Sequence, residues 1–256
     1  MVLALLFIAH LFGDFLFQPS KMVEGKKTKL FILLLHTAIY AVCFLVILML
    51  CIQSDVIWYT LIVLSASHFI IDFLRVKVFK VGKEEHKKEL YLFLCDQALH
   101  IAIIVSLYYL FELSSHMGSL LNFYIGKYTY EPVKEVVLIA LIYAIALNPT
   151  AVLVNKVLKS VVNGKSLRVK NEADDGEDKN KGIDKSGYLI GIFERVITIT
   201  FILISQLGAI GFVLAAKSLA RFRQLEEQNF AEKYLVGTLL SITVALCSAL
   251  LIKLYM

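Results

Sequence analysis

The sequence predicts an all-α fold, a polytopic transmembrane helical bundle of about seven to eight membrane segments. Three observations predict it. Of the 256 residues 59% are hydrophobic and only 18% are charged, with a mean hydropathy of +0.75, well above a typical soluble domain. The charges fall between apolar runs close to the ~20 residues a helix needs to cross a bilayer. Within those runs a histidine–aspartate pattern occurs twice, as His10-Leu-Phe-Gly-Asp14-Phe and His68-Phe-Ile-Ile-Asp72-Phe.

The apolar runs are 2–18, 30–52, 56–75, 90–111, 133–156, 188–216 and 234–255. Residues 1–17 lack a basic n-region and a small-residue cleavage site, and carry His10 and Asp14, so they read as a retained span rather than a signal peptide. Loop charge sets the orientation. Lys21, Lys26, Lys27 and Lys29 lie in 19–29, and Arg75, Lys77, Lys80, Lys83, Lys87 and Lys88 in 75–89. Residues 52–56 have no Lys or Arg, and 112–132 only Lys127. The positive-inside rule places the basic loops in the cytoplasm and the N-terminus outside. The net charge of +5 is that of these loops and implies no nucleic-acid partner.

The run 188–216 is long for one crossing, and Lys217, Arg221 and Arg223 follow it. A hairpin turning near Gly208 and Gly211, small residues that also permit close helix packing, would return those charges to the cytoplasm. Asn148-Pro149 is expected to kink or end the fifth span. The chain thus divides into 1–111, a duplicated four-helix membrane unit carrying the His/Asp site; 112–158, an extracytoplasmic loop and the fifth span; 159–187, a flexible charged cytoplasmic linker; and 188–256, the C-terminal membrane helices. Cys43, Cys51, Cys95 and Cys247 show no CxxC spacing, which argues against a disulfide framework and a cysteine zinc site.

Ionisable side chains at membrane depth are costly and are kept mainly where they function. Spacing of i, i+4 sets His10 with Asp14, His68 with Asp72, and Asp96 with His100 on single helix faces. At 1.5 Å per residue, His10, Asp14, His36, His68, Asp72, Asp96 and His100 all fall ~5–15 Å from the cytoplasmic edge. Seven such groups cannot all stay charged and unpaired in a low-dielectric bundle. Either the carboxylates and histidines share protons, or a cation binds. The donor set suits a divalent metal, Zn²⁺ before Mn²⁺ or Fe²⁺, as one or two ions, and bundle cores build metal sites from such pairs. His86 and His116 fall in expected loops and are left out.

Aligning His10 with His68 and His36 with His100 gives a tandem parallel repeat of helical hairpins in the N-terminal half. Asp96 has Ile32 as its counterpart, so the second hairpin carries an extra carboxylate suited to a general base. Gln18 and Gln97 lie beside the set and are candidates for orienting ligands or binding substrate. In the C-terminal half Glu194 and Arg195 lie ~10 Å inside the sixth run. Lys217, Ser218 and Arg221 could form an anion clamp for a phosphate or headgroup; pairing of Glu194 with a basic neighbour and snorkelling of Lys217 and Arg221 is the alternative.

At these residues the chain resembles an uncharacterised bacterial integral-membrane family, domain of unknown function 3307. The resemblance rests on HLxxDFxxQ (His10 to Gln18), LLLH at His36, HFxxDxxK/R (His68 to Arg75) and DQxxH (Asp96 to His100). The second half resembles longer members in IGxxER (Ile190 to Arg195) and AIGFxxAAKSxxRF (Ala209 to Phe222). It implies a bacterial cytoplasmic-membrane location and no established activity.

The leading expectation is an intramembrane metal-dependent hydrolase. The metal would activate a water, Asp96 would act as general base, and the partner would be a membrane lipid or lipid-linked, anionic substrate from the inner leaflet. The rival expectations are a metal-ion or proton-coupled transporter and a non-catalytic membrane subunit. Homo-oligomerisation is left open.

Overall fold

The structure, a computed structural model, describes residues 1–79, 81–82, 85–162 and 177–255. Among them regular structure is helical, apart from one isolated antiparallel bridge between Ile52 and Met117. Two compact units follow one another, Met1–Ala144 and Ile145–Met256.

In the first unit α1 (Val2–Leu11) continues as a π-helical turn over Phe12–Leu16. The chain then bends by 78° into α2 (Ser20–Thr28). Next come α3 (Leu30–Cys51), α4 (Val56–Phe73) with its own π-helical extension Leu74–Val78, α5 (His86–Leu110), α6 (Ser119–Tyr128) and α7 (Tyr130–Ala146). The three prolines all stand at helix starts: Pro19 caps α2, Pro132 lies in the first turn of α7, and Pro149 in that of α8 (Asn148–Val162). There the missing N–H costs no intrahelical bond, and the α7–α8 break at Leu147 meets the expectation for Asn148-Pro149.

Helix α1 packs on α3 and α5, α3 on α4, and α4 on α5, which closes a ring. Each helix offers one buried stripe at helical spacing. In α3 it runs Leu33, His36, Tyr40, Phe44, Leu48 and Cys51. In α4 it is Ile57, Thr60, Leu64, His68 and Asp72, and in α5 Phe93, Asp96, His100, Ile104 and Leu107. The polar residues therefore occupy the same inward stripe as the apolar core, at one end of it. The outward faces carry exposed Val42, Val46, Tyr59, Ile62 and Ile101. An apolar exterior around a polar interior is the arrangement a bilayer covers.

Among the described residues five helices are long and apolar enough to cross a membrane: Leu30–Cys51, Val56–Val78, His86–Leu110, Tyr130–Val161 and Gln228–Lys253. The bent pair Val2–Leu16 and Ser20–Thr28 would make a sixth. The second unit holds α8, α9 (Glu177–Leu203), α10 (Leu207–Ala220), a 3₁₀ turn at Phe222–Glu226 and α11 (Gln228–Lys253). Within it α11 packs on α8 and α9, and α10 on α9.

Several expectations change. The basic segment 19–29 is not a plain loop but contains α2, and the segment 112–132 contains α6, which packs on α3 through buried Leu121. His86 opens α5 instead of lying in a loop. The run 188–216 does break, but at residues 204–206, where Ser205 takes φ 61°. A Cβ at Gly208 or Gly211 would meet nothing within 4 Å, so these glycines mediate no close packing among the described residues. Of the expected linker, 159–162 and 177–187 are helical, and 163–176 lie outside the described residues.

Gly13 is different. A Cβ there would lie 2.9 Å from Tyr40 Cδ2 and 3.2 Å from the Tyr40 backbone Cα, because α1 and α3 touch at this point. Gly13→Ala should therefore cost about 1–3 kcal/mol through overpacking. Gly208→Ala, in open space on a helix, should be neutral or slightly stabilising. Unfolding of both variants in one detergent checks this; equal midpoints would refute the close approach.

Candidate metal centre

The four packed helices bring all seven predicted His and Asp side chains into one buried cluster. Helix α1 supplies His10 and its π turn supplies Asp14; α3 supplies His36, α4 His68 and Asp72, and α5 Asp96 and His100. π turns inside helices are rare and often mark functional sites. Here the turn, closed by Phe17 N–H to Phe12 O at 2.8 Å, sets Asp14 against α3 where Gly13 leaves room.

Four donor atoms converge. His36 Nε2 lies 3.0 Å from His68 Nε2, 3.2 Å from Asp14 Oδ1 and 3.4 Å from Asp72 Oδ2. His68 Nε2 lies 3.9 Å from each of the same two carboxylate oxygens. Ligands bound tetrahedrally at about 2.1 Å stand about 3.4 Å apart, and the separations among His36, His68 and Asp14 bracket that value. Asp14, His36 and His68 form one group whose ligand atoms all lie within 4.8 Å of one another, and Asp14, Asp96 and His100 form another. Asp14 belongs to both.

His10 is in the cluster but already engaged. Gln97 Oε1 can only accept, so His10 Nε2 carries the hydrogen it donates to Gln97 at 3.2 Å. Its Nδ1 then accepts from the Tyr40 hydroxyl at 3.4 Å. Gln97 Nε2 donates to Asp14 Oδ2 at 2.8 Å and to Asp96 Oδ2 at 3.1 Å. Its amide thus holds His10 and two carboxylates in fixed relation, the orienting role anticipated for it. Gln18 is assigned with its carbonyl toward the Lys26 ammonium, 2.6 Å away, and its NH₂ toward the Asp14 carbonyl at 3.2 Å, since the reverse would oppose two donors.

Three contributors were not legible as site residues. Lys26, counted with the basic loop, is buried and donates to Asp72 Oδ2 at 2.6 Å. Arg75 Nη1 donates to Asp96 Oδ2 at 2.9 Å and stacks over Phe93. The Tyr40 ring lies flat on His68, centroids 3.7 Å apart. The only sequence signal for Tyr40 is its i+4 spacing from His36; for Lys26 it is placement on the short helix after Pro19. Arg75, Gln18 and Gln97 are partly exposed and form the rim.

The charges nearly balance. Asp14, Asp72 and Asp96 face Lys26 and Arg75, leaving one excess negative charge when the histidines are neutral.

In the second unit Glu194 and Lys217 meet at 2.6 Å, with Lys217 also over the Tyr234 ring. Arg195 is buried and donates to Ala146 O at 2.5 Å, Leu147 O at 3.2 Å and Ser241 Oγ at 3.2 Å. Within the second unit it thus holds two backbone carbonyls at the break before α8. Ser218 Oγ turns back to Leu214 O, and Arg221 sits at the end of α10. Lys217 is thus already paired with Glu194, the alternative anticipated for it, and the Ser218 hydroxyl already donates to its own helix.

The fold and this cluster define a class: a helical protein with several membrane-length helices and a buried His/Asp centre in its first unit. Residues 2–125 match the model of the family described as "Protein of unknown function (DUF3307)". That match spans the whole cluster and ends before the second unit, so the C-terminal resemblance is not part of it. No curated protein and no solved structure matches the chain.

Lys26→Met should destabilise the protein by about 3–5 kcal/mol, because it strands Asp72 as a buried, unpaired charge. Lys26→Met/Asp72→Asn should recover much of that loss. Denaturation of the wild type, both single variants and the double variant in detergent measures the coupling; additive losses would place Lys26 outside the cluster.

Proposed function

We propose that this protein is an intramembrane metal-dependent hydrolase whose ion is held by His36, His68 and Asp14, with Asp72 beside them. The observation that carries the reading is the convergence of His36 Nε2, His68 Nε2 and Asp14 Oδ1 at 3.0–3.9 Å, close to the ligand spacing of a tetrahedral Zn²⁺ site. Two imidazole nitrogens facing each other at 3.0 Å also favour a shared ion. Zn²⁺ is the preferred metal, with Mn²⁺ or Fe²⁺ as substitutes.

Charge carries the reading toward hydrolysis. A divalent ion turns the cluster's one excess negative charge into one excess positive charge, which a metal-bound hydroxide neutralises. Hydroxide at neutral pH is what such an ion generates. Asp96 Oδ1, buried and without a hydrogen-bond partner, is the open carboxylate oxygen for the proton. Arg75 and Gln97 at the rim favour an anionic group on the substrate, and the apolar outer faces favour a lipid or lipid-linked one. The C-terminal anion clamp does not support this step.

We further place the chain as a multi-pass protein of a bacterial cytoplasmic membrane, N-terminus outside, by its loop charges. The parallel relation of α1 and α3 to α4 and α5 is supported by the matched pairs His10/His68 and His36/His100. With the bent first pair and a hairpin of α9 and α10, the segments number about seven to eight. A second reading, proton-coupled transport, is favoured by one observation: His10, Gln97, Asp14, His36 and His68 form a continuous hydrogen-bonded chain.

Plasma mass spectrometry on protein purified gently without chelators should find at least one tightly held ion per protomer. His36→Ala and His68→Ala should lower metal affinity more than about tenfold. A folded wild type that carries no ion and takes up none of Zn²⁺, Mn²⁺ or Fe²⁺ on titration sinks the reading and directs attention to proton flux in vesicles.

A further inference from the structure

Among the described residues three polar atoms of the cluster have no hydrogen-bond partner, His68 Nδ1, Asp96 Oδ1 and His100 Nε2, and the last two face each other. Asp96 Oδ1 and His100 Nε2 are 3.8 Å apart, and neither has a hydrogen-bond partner. Both residues are almost fully enclosed, 3% and 2% exposed. The other oxygen of Asp96 already accepts from Arg75 and Gln97, so only Oδ1 is open. Buried polar atoms are nearly always satisfied, and a facing pair that is not calls for an occupant.

Geometry distinguishes the occupants. A water hydrogen-bonded to both atoms at about 2.8 Å would have them subtend about 85° at its oxygen, narrower than its preferred directions. A cation bound to both at about 2.1 Å would see them about 130° apart, and a side-chain shift of about 0.4 Å brings that to the tetrahedral value. Asp14 offers an oxygen within 4.8 Å of a ligand atom of each of the two residues, a candidate third ligand. The His100 ring lies beside that of His68, centroids 4.7 Å apart, so this position adjoins the one formed by His36 and His68.

We propose that Asp96 and His100, with Asp14 as the shared carboxylate, form a second divalent-cation seat, and that the centre is dinuclear. The proposal rests on the reading of an ion at His36 and His68. It changes the role of Asp96 from proton acceptor to ligand whenever the second seat is filled. Two divalent ions leave the cluster with about three excess positive charges, whereas one leaves one. The second ion is therefore held more weakly than the first, and fills after it. Two ions sharing a carboxylate also suit hydrolysis, because such pairs hold both the attacking and the leaving oxygen.

The test titrates Mn²⁺ into chelator-stripped full-length protein in detergent and follows bound ion and the electron paramagnetic resonance spectrum. The expected wild type takes two ions in two steps, the second at least about tenfold weaker, and the six-line spectrum of an isolated ion gives way to a broad, exchange-coupled one. Asp96→Asn and His100→Gln should stop at one ion with the six-line spectrum. A wild type that saturates at one ion with an uncoupled spectrum overturns the second seat and leaves the single-ion reading intact. A wild type that binds none overturns both. An Asp96→Asn or His100→Gln variant that still binds two coupled ions overturns the assignment of its residue. If either variant fails to fold, the wild-type stoichiometry and spectrum decide alone.

Discussion

Asp14 is the constraint around which the first unit is built. A carboxylate enclosed in an apolar bundle is tolerated only when other groups answer its charge. Asp14 receives Gln97 from α5 on one oxygen and His36 from α3 on the other, with His68 of α4 close by. Those contacts cannot form unless three helices sit at fixed heights and rotations about α1. The π turn and Gly13 follow from the same requirement, since both let α1 bring this one side chain hard against α3. The apolar stripes below, through Phe44, Leu48, Leu64 and Ile104, supply most of the burial. They would tolerate more sliding than the polar end does.

Lys26 and Arg75 determine how far the cluster can go without an ion. Each neutralises the carboxylate it touches, Asp72 and Asp96 respectively, and neither reaches Asp14. The residual negative charge therefore sits on the carboxylate that belongs to both donor groups. A carboxylate oxygen has lone pairs for both an ammonium and a metal, so Lys26 on Asp72 Oδ2 need not exclude an ion from that oxygen. It acts as the outer hydrogen-bond partner that fixes a ligand's direction. Gln18 ties the same ammonium to the backbone of Asp14, so α2 is docked by the site itself.

Much of this was readable in the sequence because helical spacing is enough to read it. The i, i+4 pairs, the shared depth and the apolar runs follow from 3.6 residues per turn and 1.5 Å per residue, and the seven side chains do meet. What escaped lies where the helix departs from that regularity. The π turns at Phe12–Leu16 and Leu74–Val78 shift register in ways no periodicity reports, and the second carries Arg75 to Asp96. Lys26 was read as loop charge because a lysine in a basic segment after an apolar run ordinarily faces water. Only the 78° bend beyond Leu16 turns it inward. The position of the break in 188–216 has a similar origin: glycine is the usual turn signal, whereas here Ser205 adopts the positive φ and Lys253 donates to its hydroxyl at 2.8 Å.

The position of the cluster on its stripes bears on whether it serves chemistry or passage. A transport path needs polar groups that continue toward both ends of the bundle. Here the stripe of α3 turns wholly apolar beyond Tyr40, that of α5 beyond His100, and that of α4 on the other side of His68 apart from Thr60. Phe44, Leu48, Leu64 and Ile104 close that side with almost no exposed surface. The other side is rimmed by partly exposed Gln18, Arg75 and Gln97. Polar groups thus lead from the cluster toward one end of the helices only, which supports the proposed hydrolase over a path through the bundle.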